Sequence, residues 1–288
     1  MEYKKQPKTA FVLEGGAMRG LYSAGVLDVF MQKGIDTDAI YGVSAGALFG
    51  INFKSKQIGR AIRYNLKYAH EKNYMGLYSL ITTGNIMNKE FCFNKLVNEL
   101  DIFDFETFNN SPVKFYAVVT NIETGKPEYL KIKSPIDDLE KLRATSAMPL
   151  ASKIIKIDGK KYLDGGISDS IPIHFNKEKC KKNIIVLTQP LDYKKKTLSK
   201  LKERIIKLRF YKYKKLINTM LDRYNEYNKV IEDIIEMEKN GEIFVIRPNK
   251  KINIKLSENN PEKLQEIYDL GVNCCKKVIK DLKKYLDN

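Results

Sequence analysis

Residues 9–13, TAFVL, form a short β-branched and apolar run that ends in the glycine pair Gly15-Gly16. Beyond Gly20 the period changes: Leu21, Ala24, Leu27 and Phe30 recur every three residues with Val26 and Val29 beside them, and the run stops at Gly34. That spacing predicts a largely buried helix. A second apolar run, Ala39-Ile40-Tyr41, leads into GVSAG, and Ala45 to Phe53 reads as the start of another helix. Strand, glycine turn and helix thus occur twice before residue 54, which is the alternation of an α/β chain built on a parallel sheet.

Further on, VKFYAVVTN (113–121) and EYLKI (128–132) predict strands joined by a turn at Glu123-Thr124-Gly125-Lys126, and NIIVLTQ (183–189) predicts another buried strand. Helices are expected over 56–70 and 88–100. Residues 72–87, KNYMGLYSLITTGNIM, mix aromatics, glycines and threonines without period, the pattern of a mobile loop near a site or equally of a plain surface connection. After Pro190 the composition shifts. Residues 194–239 are helical in pattern and dense in Lys, Arg and Tyr, EIFVIRP (242–248) reads as a short strand, and a final helix runs from about Pro261 to Leu286. No internal repeat is visible. The expected organisation is one domain over 8–190 and a basic, mostly helical region over 191–288.

Composition adds a charge question. The 51 Lys and Arg against 35 Asp and Glu leave a net +16, a balance that attracts nucleic acid or an anionic membrane surface. Lysine, asparagine and isoleucine are abundant throughout, however, so a bias of the whole chain produces the same balance without any site. A hydrophobic fraction of 43% permits a buried core. No run of about 18 uncharged apolar residues exists, so no membrane-spanning helix is expected. The N-terminal apolar run stops at Glu14, too short for a secretory leader. Cys92, Cys180, Cys274 and Cys275 show no CxxC spacing and read as reduced thiols rather than a disulfide framework or zinc site. Together these predict a cytoplasmic protein.

Three glycine-marked stretches carry candidate chemistry. Gly42-Val43-Ser44-Ala45-Gly46 fits G-x-S-x-G, follows a predicted strand and opens a predicted helix, the setting of a nucleophile elbow. The flanking residues must lack bulk there, and the helix N-terminus favours negative charge developing beside Ser44. Gly15-Gly16-Ala17-Met18-Arg19-Gly20 presents several N–H groups in a small volume, as a tight turn or an oxyanion hole would. It lacks the G-x-G-x-x-G of a dinucleotide fold, and the G-K-[ST] ending of a P-loop is also missing. Tyr162-Leu163-Asp164-Gly165-Gly166 taken alone is a turn with an Asx-type bond.

Taken together, these stretches resemble the patatin-like phospholipase family over about residues 8–190. GGAMRG stands at the family's glycine-rich oxyanion segment, GVSAG at its nucleophile elbow and DGG at its catalytic aspartate, with ATSAMP (144–149) before DGG and Pro172 after it. The resemblance implies a three-layer α/β/α sandwich with a mostly parallel central sheet, and a serine acyl hydrolase acting on phospholipid or lysophospholipid esters. It implies Ser44 as nucleophile and Asp164 as base, with Gly15, Gly16, Ala17, Met18 and Arg19 in the oxyanion segment. Gly20, Gly42, Gly46, Gly165 and Gly166 support these motifs, and no cofactor or metal is needed. The family often has a third glycine where this chain has Ala17, a residue that disfavours positive φ.

Histidine scarcity bears on the partner of Ser44. Only His70 and His174 are present. A Ser44–Asp164–His174 triad would follow the chain order of α/β-hydrolases, but the closeness of Asp164 and His174 in sequence argues against it. Burial would make an aspartate a better base by raising its pKa. Arg19 is expected either to hold an anionic headgroup or to anchor its loop through an ion pair, with the ion pair favoured.

Residues 194–216, KKKTLSKLKERIIKLRFYKYKKL, carry eleven basic residues and one acidic one, with Leu198, Leu201, Ile205 and Leu208 at helical spacing. That suits an interfacial helix on anionic lipid, peripheral to the inner membrane face. It equally suits a surface helix packed on the core with a solvated lysine face. Phe210, Tyr211 and Tyr213 would permit a nucleic-acid arm, but no fold signature supports one and none is expected. The competing function class is a non-catalytic module that binds anionic lipid or nucleic acid; such a module would need neither Ser44 nor Asp164.

Overall fold

A computed structural model describes residues 8–175 and 180–287. Residues 1–7, which begin the stretch considered above as a leader, lie outside the described residues. Two five-residue runs, β1 (Thr9–Leu13) and β2 (Ala39–Val43), are buried along their whole length, as befits parallel strands covered on both faces. They join β3 (Lys114–Asn121), β4 (Pro127–Ile132), β5 (Ile155–Ile157), β6 (Lys160–Asp164), β7 (Lys182–Val186) and β8 (Ile243–Ile246) in one sheet of order β5-β6-β3-β2-β1-β7-β8. Strands β3, β2, β1, β7 and β8 run parallel, while β4, β5 and β6 pair antiparallel at the other end.

Strand β3 is the longest of them and has two neighbours on one edge. Its other edge is taken by β4, from Phe115 to Thr120. On the remaining edge β2 pairs as far as Val43↔Val118, and β6 takes over at Val119↔Asp164. The ends of β2 and β6 therefore meet along β3, which brings residue 44 and residue 164 face to face.

Alternation along the strands feeds two helical layers. Phe11, Leu13, Ile40, Phe115 and Val186 point into a core formed with α1 (Leu21–Gln32), α2 (Ala45–Lys54) and α9 (Pro261–Asp287). Ala10, Val12, Tyr41 and Tyr116 point the other way, against Tyr227, Ile231 and Ile234 of α8 (Lys214–Lys239). The result is the expected three-layer α/β/α sandwich. Helices α1 and α9 touch backbone to backbone: a Cβ at Gly25 would lie 2.2 Å from the Tyr268 carbonyl oxygen, and one at Gly271 2.0 Å from that of Tyr22. The Tyr268 hydroxyl also donates to Asp28 at 2.6 Å. Through β8 and α9 the region after residue 190 shares the sheet and the core of the first.

Several elements differ from their expected form. The helix expected over 56–70 is α3 (Arg60–Lys67), started by Gly59 at φ 74°. The helix expected over 88–100 is wound as a π-helix from Phe91 to Leu100. The aperiodic stretch 72–87 contains α4 (Leu77–Thr83) inside a Met75↔Met87 bridge. Two short helices, α5 (Phe105–Asn110) and α6 (Leu139–Thr145), span less than two turns, too little for a helical period to show in the sequence. In α7 (Lys200–Arg209) the side chains on the core are Ile206 and the following Phe210, whereas Leu201 (68% exposed) and Leu208 (80%) face solvent with Ile205. The apolar stripe read from the sequence thus points outward.

Candidate active site

Ser44 sits between β2 and α2 with φ 53° and ψ −123°, a left-handed backbone that a serine adopts only at a cost of about 1–3 kcal/mol. The surroundings hold it there. Its N–H donates to Thr145 Oγ1 (3.0 Å), whose hydroxyl in turn donates to the Val118 carbonyl (2.5 Å), and its own carbonyl accepts from Ala47 N and Leu48 N (3.0 Å each). The flanking glycines are needed for close approach: a Cβ at Gly42 would lie 2.6 Å from Ala47 Cα, and one at Gly46 2.5 Å from the Leu13 carbonyl oxygen.

Asp164 ends β6, and its position is fixed from both sides. Its N–H donates to Ala147 O (2.9 Å), and its carbonyl accepts from Thr120 Oγ1 (2.8 Å). Gly165 lies so close to β3 that a Cβ would be 2.2 Å from Val118 O. The Asp164 carboxylate accepts from the Ser44 hydroxyl through Oδ2 (2.7 Å) and from Gly166 N–H through Oδ1 (2.8 Å). Burial pushes its pKa above the ordinary carboxylate value, against the opposing pull of the Ser44 hydroxyl, the Gly166 N–H and the Arg223 charge. Both side chains are nearly enclosed, Ser44 at 9% and Asp164 at 7% exposure.

The glycine-rich GGAMRG segment packs against this pair. A Cβ on Gly15 would lie 3.1 Å from Ser44 Cβ, one on Gly16 2.8 Å from Thr188 Oγ1, and one on Gly20 2.8 Å from Ala45 Cβ. Ala17 takes φ 48°, the conformation a glycine would adopt more readily, and still lines the cavity over Ser44 with Met18. Among the described residues the N–H groups of Gly15, Gly16 and Ala17 have no acceptor, which leaves them free for a ligand. Arg19, expected in this set, donates its N–H to Gly16 O (3.0 Å) and so contributes no free backbone donor. Among the described residues its side chain makes no ion pair with which to anchor the loop, and Arg19 Nε is buried without a partner.

The cavity touching Ser44 is apolar, with Leu48, Phe49, Met75, Met87 and Met148 among its walls. A second apolar cavity of about 370 Å³ shares Leu48, Tyr64, Tyr74 and Met87 with it. Residues 72–87 are therefore neither a bare connection nor remote from Ser44; they wall the cavity.

His174 is not brought to Asp164. Its Nε2 lies 3.1 Å from Asp233 Oδ2 on α8, and the ring is about two-thirds exposed. His70 is exposed in the turn after α3. Three residues that sequence reasoning did not single out bear on Ser44 and Asp164: Thr145, Thr120 and Arg223. Thr145 lies inside ATSAMP and could have been suspected from that stretch. Arg223 had no signal, being one of five cations on α8, a helix that also carries six carboxylates.

A family model described as patatin-like phospholipase matches residues 11–176, and one described as a domain of unknown function matches residues 213–287. The chain is 27% identical over 273 residues to the uncharacterized protein YjjU of Escherichia coli, covering 93% of this chain and 76% of that protein. It is 26% identical over 168 residues to an uncharacterized NTE family protein of Mycobacterium bovis, 58% of this chain and 45% of the relative. It is 29% identical over 174 residues to lysophospholipase nte1 of Aspergillus oryzae, 56% of this chain and 10% of that much longer protein. Among solved structures, VipD from Legionella pneumophila aligns with a TM-score of 0.45 at 10% identity, over 96% of this chain and 67% of that one.

Proposed function

Since the chain belongs to the patatin-like phospholipase family, we propose that it is a lipid ester hydrolase working through Ser44 and Asp164. The observation that carries this reading is the 2.7 Å hydrogen bond from a serine hydroxyl, held at a strained strand–helix turn, to a buried carboxylate. The similarity to a protein named lysophospholipase supports the substrate class, an acyl ester of a phospholipid or lysophospholipid.

Each group has a role that its surroundings suit. Ser44 Oγ attacks the ester carbonyl as its proton passes to Asp164 Oδ2. A carboxylate made more basic by burial accepts that proton more readily, while Gly166 N–H and Arg223 favour its ionised form and so oppose that rise. The oxygen of the tetrahedral intermediate turns toward the free N–H groups of Gly15, Gly16 and Ala17; one such donor is typically worth about a hundredfold or more in rate. The apolar cavities beside Ser44 receive the acyl chain. The intermediate collapses by breaking the bond to the alcohol, which leaves with the proton held by Asp164. Water then hydrolyses the acyl-Ser44 ester with the carboxylate of Asp164 again as base and Ser44 as leaving group.

The test is labelling by a fluorophosphonate together with turnover of a short neutral ester. The protein is expected to gain one covalent label and to hydrolyse the ester, and Ser44→Ala to do neither. Labelling that survives in Ser44→Ala would overturn the assignment.

A peripheral site of action is proposed from α7, whose outward Leu201, Ile205 and Leu208 stand among lysines and arginines, a pattern suited to an anionic lipid surface. Among the described residues no helix is long and apolar enough to cross a membrane.

A further inference from the structure

Three cations from three parts of the chain come within electrostatic reach of one another beside the site. Arg19 comes from the turn after β1, Lys195 from the loop after β7, and Arg223 from α8. Arg223 acts on the Asp164 carboxylate and lies against Gly166, where a Cβ would be 3.3 Å from its Nη2. The Lys195 ammonium feels both Arg223 and Arg19; burial and then these two charges push its pKa down to about 7 against the pull of Glu14.

The arrangement is built rather than accidental. Asn228 of α8 clamps the Lys195 backbone from both directions, accepting from its N–H (2.8 Å) and donating to its carbonyl (3.0 Å), and the ammonium rests 4.2 Å over the Tyr227 ring. Glu14 is the acid facing Lys195, and its oxygens are already engaged by Thr188 N (2.6 Å), Thr188 Oγ1 (3.1 Å) and the Tyr227 hydroxyl (2.8 Å). Among the described residues none of the three cations makes an ion pair. Arg223 Nη2 donates to Ser170 Oγ (3.4 Å), but Arg19 Nε and Arg223 Nε are both buried with no acceptor. Charged donors buried without a partner are costly, and an anion is the ligand that would satisfy them. Lys195 also borders an open cleft with Lys194, Lys196, Lys202 and Lys251, a cationic approach from solvent.

We propose that Arg19, Lys195 and Arg223 form an anion subsite that takes the phosphate of a phosphate-bearing acyl ester while Ser44 acts on its ester bond. This rests on the hydrolase reading above and assigns the region after residue 190 a part in choosing the substrate. Two of the three cations lie outside residues 11–176, the stretch matched by the family model. The apolar cavity and the cation cluster then select the two ends of one molecule, acyl chain and phosphate.

The test compares 1-acylglycerol 3-phosphate with the uncharged 1-acylglycerol of the same chain length, as a ratio of kcat/KM. The native protein is expected to prefer the phosphate ester by about tenfold or more, the value of one charge-assisted hydrogen bond. Lys195→Gln should lower that ratio about tenfold, chiefly through KM, the double variant Lys195→Gln/Arg223→Gln should lower the ratio at least as far, and Lys195→Arg should restore most of it. Melting temperatures establish that the variants are folded. If the uncharged ester is turned over in a Ser44-dependent way but the ratio stays the same in the double variant, the subsite proposal fails while the hydrolase reading stands. If neither ester is turned over and Ser44 takes no label, the hydrolase reading itself has failed. Inorganic phosphate that inhibits both esters alike, with no preference between them, would mean that the cluster takes free phosphate and would overturn the headgroup assignment.

Discussion

Ser44–Asp164 and His174–Asp233 are two hydrogen-bonded pairs of similar length, 2.7 Å and 3.1 Å, each with an aspartate partner. They differ in everything else. The first is enclosed, its carboxylate raised by burial and its backbone pinned on both sides; the second lies on the surface between the segment after DGG and α8. A surface pair in high dielectric carries about 0–1 kcal/mol and is screened by salt. A carboxylate removed from water is a stronger proton acceptor, and the hydroxyl beside it has no competing solvent. Burial therefore decides which pair can do acid–base work, and bond length does not.

The variant that breaks the comparison most strongly is Asp164→Asn. The amide keeps the shape and can still accept from Gly166 N–H, but it cannot take the Ser44 proton, so ester hydrolysis should fall by about a thousandfold, within the usual range for a lost general base. Stability should move the other way. Because burial raises the Asp164 pKa in the folded state, folding favours the protonated form, and the ionised carboxylate weighs against the fold at any pH above that raised value. The uncharged asparagine lacks this penalty. Its melting temperature should exceed the native one near neutral pH, by about 2–4 °C per kcal/mol relieved, and the gap should close as pH falls through the raised pKa toward the ordinary carboxylate range. The acid limb of kcat/KM in the native protein should likewise lie above that range. A native protein that is more stable than Asp164→Asn at neutral pH would contradict the argument.

Much of the buried pair was legible in the sequence, because its constraints are local. Small residues around Ser44 and after Asp164 follow from close backbone packing, in which a Cβ at Gly42, Gly46 or Gly165 would meet a neighbour under 3 Å, and such packing leaves glycines in fixed places. The strand–turn–helix alternation follows from fully buried strands with an unmistakable apolar period. What was not legible depends on residues distant in the chain. Thr145 reaches Ser44 across 101 positions, and Glu14 meets Tyr227 across 213. The outward turn of the α7 stripe was hidden for a related reason: periodicity says that a helix has an apolar face, but only packing says which residues meet the core. Ile206 and Phe210 do so here, and Leu201 and Leu208 do not.

Thr145→Val is expected to have a smaller effect on the same pair. Valine keeps the volume but leaves the Ser44 N–H and the Val118 carbonyl without their shared partner, and two buried polar groups so orphaned cost about 1–3 kcal/mol. Because the lost bond is one that holds Ser44 at positive φ, the loss should appear in kcat, about tenfold, as well as in the melting temperature. Serine at the same position keeps the hydroxyl and should recover most of the activity. If Thr145→Val lost stability without losing turnover, Thr145 would be a packing residue only, and the strained turn would be held by the flanking glycines alone.

The smallest effect is expected at the exposed pair. His174→Ala removes a ring that touches Asp233 at 3.1 Å from a largely solvated position, so folding stability should change by no more than about 0.5 kcal/mol and ester hydrolysis by no more than about twofold. His174 is also close enough to Asp169 to act on it, and Asp169 is half-buried and bonded by the Tyr129 hydroxyl at 2.7 Å. Any effect on stability should therefore pass through Asp233 and Asp169, and Asp169→Asn should reduce what His174→Ala does, a coupling that a double-mutant cycle measures directly. The opposite result, a loss of tenfold or more in turnover for His174→Ala with the fold intact, would place imidazole in the reaction and remove the distinction between the two pairs.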